Sequence, residues 1–255
     1  MLSFLYQDLD TPFMGSREIP NPDQRRTIQR SLVAQVDYGW TDRLATRFVL
    51  PARDIGISGR VEIDTAGIGD VEAWARWRLG DALARWSGVV SAGLALPTGR
   101  EPEPSLADEN AFFGAGNESL LLSAEAGRRV GDAGSLFILV AYRDPLGAAS
   151  SGYRVSDDFA WTAAWSHAPA DSRFGLVLGA SGRHLGQDRE NGALVESRGG
   201  RLQHLHAGLT LSAGDAGRVG FIAQYLVEQD VRGDQLLAEW NLIATYGLRW
   251  SRGDR

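Results

Sequence analysis

The segment Leu236–Trp250 places Leu236, Ala238, Trp240, Leu242, Ala244, Tyr246, Leu248 and Trp250 at alternate positions, against Glu239, Asn241, Thr245, Gly247 and Arg249. A helix would scatter that series around its circumference, whereas a strand sends one set to each face. A strand so long with one face almost wholly apolar needs an apolar neighbour along its full length, and that requirement constrains the whole chain.

The same alternation recurs from end to end. Leu32, Ala34, Val36, Tyr38 and Trp40 are followed, after Thr41–Arg43, by Leu44, Thr46, Phe48 and Leu50. Val71, Ala73, Ala75, Trp77 and Leu79 precede Trp86, Val90, Ala92, Leu94 and Leu96. Leu120, Leu122, Ala124 and Ala126 precede the run from Ser135 to Arg143. Phe159, Trp161, Ala163 and Trp165 precede Phe174, Leu176 and Leu178. Leu205, Ala207, Leu209 and Leu211 precede Val219, Phe221, Ala223, Tyr225 and Val227. With the first residues, this predicts an all-β chain of about twelve strands in one domain over residues 1–255. Many runs are near the ~9–11 residues that cross a bilayer at a tilt. Short turns near Thr41, Gly80, Gly131, Pro169 and Gly214 alternate with long polar stretches at Asp10–Arg26, Arg53–Ala66, Arg100–Gly114, Asp144–Gly152 and Gly186–Arg201, with a shorter one at Asp230–Asp234. This is the pattern of a transmembrane antiparallel up-and-down β-barrel.

A soluble sandwich also alternates, but it has no reason to gather rings at one end of its strands. Here Tyr38, Trp40, Trp77, Trp86, Trp165, Phe174 and Trp250 flank the short turns on the apolar parity, as interface aromatics do. In Val71–Trp86 a helix would pair Glu72 with Arg76 at i,i+4, yet Gly80-Asp81 interrupts it and period two resumes beyond. No window holds the ~18 consecutive apolar residues of a membrane helix. The net charge is −6 and lysine is absent, with the arginines interleaved among acids, which argues against nucleic acid as a partner. The first ten residues carry no basic residue and lack a small-residue cleavage site. We expect either a chain that is not exported or one written without its signal peptide.

Four stretches, in order, carry a resemblance: Tyr38–Pro51, Gly67–Leu79, Ala92–Arg100 and Gly114–Val130. A Tyr-Gly-hydrophobic-Thr-Asp-Arg-Leu hairpin ending in proline, a Gly-hydrophobic-Gly-Asp opening one strand and a Leu-Pro-Thr-Gly closing the next together resemble the outer-membrane barrel family labelled phenol-degradation meta-pathway proteins, also described as transporters. The resemblance spans about Leu32 to Trp250. It implies a twelve-stranded outer-membrane barrel in a Gram-negative envelope, inserted by the barrel-assembly machinery, with Trp250 as the terminal aromatic that machinery reads. The polar tail after Trp250 departs from the family pattern.

If the apolar parity faces lipid, the other faces a lumen. That lining is expected to include Gln35, Asp37, Arg47, Glu72, Trp74, Arg76, Arg78, Glu125, Arg129, His204, His206, Gln224, Glu228, Glu239, Asn241 and Arg249. Mixed charges on such a face either set passage, as charged rings do in pores, or pair into a plug. His204 and His206, two apart on a strand, point the same way, but no third metal ligand lies nearby in sequence, and hydrogen bonding is the simpler role. A barrel hydrolase would need Ser123 or Ser181 to meet His204, and no motif singles either out. The segment beginning Gly114-Ala115-Gly116-Asn117 lacks the Lys-Ser/Thr of a phosphate loop. The expectation is therefore a non-enzymatic outer-membrane channel for small solutes, hydrophobic or aromatic ones included, without metal or cofactor. The alternatives are a structural barrel with a closed lumen and a barrel hydrolase. The expected partners are outer-membrane lipid and a small-molecule solute.

Overall fold

The computed structural model describes residues 1–59, 62–80, 85–101, 113–170, 172–213 and 217–248. Every regular element among them is a strand. Twelve form the wall: β1 (Leu2–Leu9), β2 (Arg26–Gly39), β3 (Leu44–Ser58), β4 (Val71–Leu79), β5 (Trp86–Leu96), β6 (Ser119–Val130), β7 (Gly134–Pro145), β8 (Asp158–His167), β9 (Phe174–Leu185), β10 (Gly200–Ala213), β11 (Gly217–Leu237) and β12 (Trp240–Leu248). Each pairs antiparallel with its neighbour in sequence, and β1 pairs with β12 from Leu2↔Tyr246 to Gln7↔Asn241, so the sheet closes on itself. Closure leaves no edge strand, which satisfies the backbone within the wall.

The connections fall at two ends. Connections short in sequence join β2 to β3, β4 to β5, β6 to β7, β8 to β9 and β10 to β11 at one end, where among the described residues Gly80 (φ 78) and Gly131 (φ 64) take left-handed conformations. The long connections gather at the other end and are less loop-like than their composition suggests. β3 continues to Ser58, and Ile63–Ile68 pairs back onto it from Ile57↔Ile63 to Ala52↔Ile68. Within the β1–β2 connection, Thr11–Gly15 pairs with the end of β11. Tyr153–Arg154, Arg189–Glu190 and Ala193–Leu194 form a separate small sheet tying two long connections together.

β11 is long because it contains a reversal. Its first part rises beside β10 as far as Gly200↔Val231. Gly233 (φ 64) then turns the chain, and Asp234–Leu237 pairs with Met14–Thr11 in the register that β12 keeps with β1. The apolar run beginning at Leu236 is thus one descending strand with a bend at Ala238–Glu239.

The pleat sorts the side chains as period two predicts. Val36, Phe48, Val90, Leu94, Leu205, Leu209, Phe221 and Leu242 are exposed on the outward face. Large exposed apolar side chains all round a barrel form a belt that only an apolar medium solvates well.

Candidate functional site

The interior is the candidate site. Its charged half is built by β2 to β7. Arg76 on β4 reaches across both neighbouring strands, placing Nη1 3.0 Å from Asp37 Oδ1 on β2 and Nη2 2.7 Å from Glu125 Oε1 on β6. Arg47 Nε donates to Asp37 Oδ1 at 2.8 Å, and Gln35 Nε2 donates to Asp37 Oδ2 at 2.5 Å. Two guanidiniums and two carboxylates thus neutralise one another over a stretch of wall. The Arg76 side chain is 16% exposed, so the charge depends on these partners more than on water.

Nearer the long-loop end a second cluster forms. Arg143, not singled out by the sequence pattern, donates to Asp70 Oδ2 at 3.3 Å and approaches Glu72 Oε1 at 3.7 Å. Trp74 Nε1 donates to Glu72 Oε2 at 3.0 Å. The Trp74 ring lies over Gly93 on β5, where a Cβ would come 3.0 Å from Trp74 Cδ2 and 2.4 Å from the Ala73 carbonyl oxygen. The ring on the lumenal parity therefore rests along the wall above a residue without a side chain.

Asp70 is buried and organises the mouth. Its Oδ1 accepts from the Gly99 amide at 3.1 Å and its Oδ2 from the Ala115 amide at 2.8 Å. Thr98 Oγ1 accepts from the Val71 amide at 2.9 Å and donates to the Gly69 carbonyl at 3.1 Å. The Gly-Ile-Gly-Asp and Leu-Pro-Thr-Gly stretches thus clamp each other. Gly67 faces the Phe113 ring, and a Cβ on Gly69 would meet Pro51 Cγ at 2.9 Å and the Phe113 carbonyl at 3.0 Å. Phe113 in turn packs with Ile55 and Ile57, against which Ile63 lies.

Beyond the Arg183–Asp158 ion pair (2.6 Å) on the inward parity of β8 and β9, the facing wall is built of neutral groups. Cross-strand partners share a face, and Gln7, Asn241, Gln224 and His206 are consecutive partners across β1, β12, β11 and β10. Gln7 Nε2 donates to Asn241 Oδ1 at 2.9 Å, and Asn241 Nδ2 to Gln224 Oε1 at 3.4 Å. The neighbouring row on the same face contains Val177, Gly208, Ile222, Ile243 and Leu5. One wall is ion-paired, and the facing one is amide and aliphatic. Leu139, Thr162, Ile222 and Ile243, inward near strand centres, keep partial exposure, so the interior holds space there. Toward the long-loop end the inward Ile55 (1%), Ala95 (0%) and Leu121 (3%) are sealed.

The remaining expected lining residues divide. Arg78 and Arg129 take the inward parity near the short turns and are exposed. His204 stands opposite Ser181, with Thr162 and Leu226 as the next residues along that row. A hydrolytic histidine needs a group that orients it, and these neighbours are not acids. Among the described residues no cluster of three His, Cys, Asp or Glu groups could hold a metal ion. Glu228 is not lumenal. A bulge between Gln203 and His204 on one strand and Leu226 and Glu228 on the other inserts Val227, inverting the parity of β11 beyond it. Glu228 then shares the outward face with Gln203, whose Nε2 donates to Glu228 Oε2 at 2.8 Å. Glu239 lies in the bend before β12 and is exposed. Arg249 and Trp250 fall outside the described residues.

Of the expected interface rings, Tyr38, Trp40, Trp77 and Trp86 are exposed, and Trp165 is partly so. Tyr38 and Trp40 meet edge-on at 4.8 Å, Trp165 stacks on His167 at 5.6 Å, and the Arg128 guanidinium sits 4.8 Å from the Trp86 ring centre. Tyr225 and Trp240, 4.7 Å apart, form a further outward pair at the start of β12.

The closed antiparallel circuit, its outward apolar belt and its polar interior decide the architecture. The chain is a twelve-stranded up-and-down β-barrel. The sequence matches no family model and no curated protein. Among solved structures the barrel is similar to an outer-membrane channel from Pseudomonas putida F1, with a TM-score of 0.76 and 15% identity over 97% of this chain and 92% of that one. It is also similar to the NanC porin, with a TM-score of 0.54 and 8% identity over 98% of this chain and 100% of that one. The CymD monoaromatic hydrocarbon channel gives 0.50 and 9% identity over 99% of this chain and 89% of that one. At these identities the likeness is one of fold.

Proposed function

We propose that the chain is an outer-membrane channel through which small solutes pass by diffusion, apolar and monoaromatic compounds among them. The observation that carries this reading is the partial exposure of inward side chains at mid-strand, because a barrel filled by its own side chains would bury them. The outward belt and its rings favour insertion in a bilayer, with the short turns facing the periplasm as in other barrels of this kind. A lumen with one ion-paired wall and one aliphatic wall offers a flat apolar solute a surface to slide on without separating the arginines from their acids. The likeness to two channels and a porin, one of them a monoaromatic hydrocarbon channel, agrees with that reading.

Reconstitution in planar bilayers tests the channel, and solute uptake by proteoliposomes tests the preference. Discrete conductance steps are expected, together with faster entry of a monoaromatic alcohol than of a sugar of equal size. Silence from a correctly folded, heat-modifiable barrel would establish the closed structural role instead, and equal uptake of the two solutes would remove the apolar preference.

A further inference from the structure

Two surface features outside the lumen meet at one residue. The first is an apolar groove of ≈ 600 Å³ running diagonally over the outer wall from Leu44 and Trp77 to Tyr142 and Phe159. It exists because Ala75, Ala92 and Ala124, on adjacent strands β4, β5 and β6, leave the backbone uncovered between larger neighbours such as Leu122. The second is a polar cavity of ≈ 490 Å³ at the long-loop end, to which Arg154, Arg189 and Arg232 contribute, with Tyr142 again on its wall. Arg154 comes from the β7–β8 connection, Arg189 from the β9–β10 connection and Arg232 from the reversal within β11, so folding at the long-loop end assembles the cavity.

Its charge balance is positive. Asp144 and Asp157 are the carboxylates on its lining. Asp144 lies 4.0 Å from Arg154, and Asp157 accepts from the Tyr142 hydroxyl at 3.4 Å. Arg189 donates to the Gly192 carbonyl at 3.2 Å and Arg232 to Gln187 Oε1 at 2.7 Å, both neutral acceptors, while Arg154 donates to the Pro145 carbonyl at 3.1 Å. Each guanidinium has five N–H donors, so several remain for a further anion. A phosphate suits such a fork of donors. An anionic head in the cavity with acyl chains in the groove below it describes one molecule.

We propose that this outer wall binds a phosphorylated, multiply acylated lipid, its phosphate among Arg154, Arg189 and Arg232 and a chain along the alanine-floored groove. The site rests on the membrane-embedded reading above, since the groove opens only to whatever surrounds the barrel. It is separate from the solute path, because the groove lies on the outward parity.

Native mass spectrometry of the barrel released from phosphatidylcholine nanodiscs doped with diphosphoryl lipid A tests the site. Two variants accompany the wild type: the triple Arg154→Gln, Arg189→Gln, Arg232→Gln, which removes the head site, and Ala124→Trp, which fills the groove. Retained heat-modifiability and unchanged conductance report that each variant is folded. One lipid A per barrel is expected, with retention about tenfold weaker or worse in either variant, as loss of several charge-assisted hydrogen bonds or of chain burial dictates. Equal retention by the triple variant overturns the proposal. So does equal retention of phosphatidylethanolamine, or complete displacement of lipid A by inorganic phosphate alone. A barrel that never enters the nanodisc overturns the membrane reading itself, whereas an inserted barrel without adduct overturns only the lipid site.

Discussion

Arg76 holds together one charged stretch of the lumen. With Arg47 it balances Asp37 and Glu125, so the cluster as it stands carries no net charge into the passage. Arg76→Gln leaves two carboxylates against one guanidinium. The expected outcome is a shift of reversal potential toward cations under a salt gradient, with a folding cost of ~1.5–3 kcal/mol from the lost charge-assisted bonds, reduced by solvent at the more exposed Asp37. An unchanged reversal potential would place the selectivity of the passage elsewhere. Asp70 is the complementary case, because two backbone amides as well as Arg143 donate to it. Asp70→Ala leaves the Gly99 and Ala115 amides without their acceptor, at about 1–3 kcal/mol each where they stay buried. Faster tryptic cleavage after the exposed Arg100 is expected, with Asp70→Asn intermediate, since its side-chain oxygen can still accept from one amide.

At the scale of elements, one inserted residue shows what alternation can and cannot reveal. Strand existence and facing follow from period two almost throughout, because a sheet with one face in an apolar medium cannot slip by one residue without inverting every side chain. Counting from Val219 through Val227 puts Glu228 inside, and the bulge puts it outside. The sequence hides the bulge, since Val227 continues the apolar parity of Phe221, Ala223 and Tyr225. Deleting Val227 restores simple alternation and would drive Glu228, and Asp230 after it, off the outward partners Gln203 and Arg201. We expect that deletion to lower the thermal unfolding temperature of the barrel, and an unchanged temperature would show that the bulge has no structural weight. The long connections were hidden for a different reason. Polar composition reads as loop, yet Tyr153 is wholly buried between two of them, its hydroxyl donating to Asp188 Oδ2 at 2.6 Å while Asp188 Oδ1 accepts from the Ser156 amide. Burial, with the Asp188 carboxylate beside it, raises the Tyr153 phenol well above its ordinary value of 10.0. A raised value means that the contribution of the protonated phenol is complete below pH ~10 and is lost as pH rises through the raised value. The small loop sheet should therefore hold through neutral and mildly alkaline solution. Tyr153→Phe should abolish the latest-titrating phenolate in an ultraviolet pH titration, and a spectrum identical to wild type would contradict the assignment.

Across the whole molecule the interior changes character from one end to the other. Near the strand centres the inward Leu139, Thr162, Ile222 and Ile243 keep exposed surface, while at the long-loop end two apolar clusters close in: Ile55, Ile57 and Phe113 on one side, and Phe13, Leu226, Val231 and Leu237 on the other. Neither cluster was visible in the sequence, because Phe13 and Phe113 lie in stretches whose composition reads as polar loop and only the fold brings them over the wall. Aromatic side chains set across a mouth narrow it at a point where the strands themselves do not. The resistance of a channel in series is dominated by its narrowest section, so the clusters should control conductance more than the ion-paired wall does. Phe113→Ala tests this, because Phe113 comes from the connection after β5 and contributes no ladder hydrogen bond to the wall. Its loss is expected to cost the mouth ~3–5 kcal/mol of packing at most, a local cost that leaves the barrel closed. Single-channel conductance should rise severalfold in Phe113→Ala and further in the double variant with Phe13→Ala, while the reversal potential set by Arg76 and its partners stays where it was. A rise in conductance accompanied by a change in reversal potential would mean that the mouth and the charged wall are one filter, and no rise at all would move the constriction below the clusters, toward Trp74 and the row that carries it.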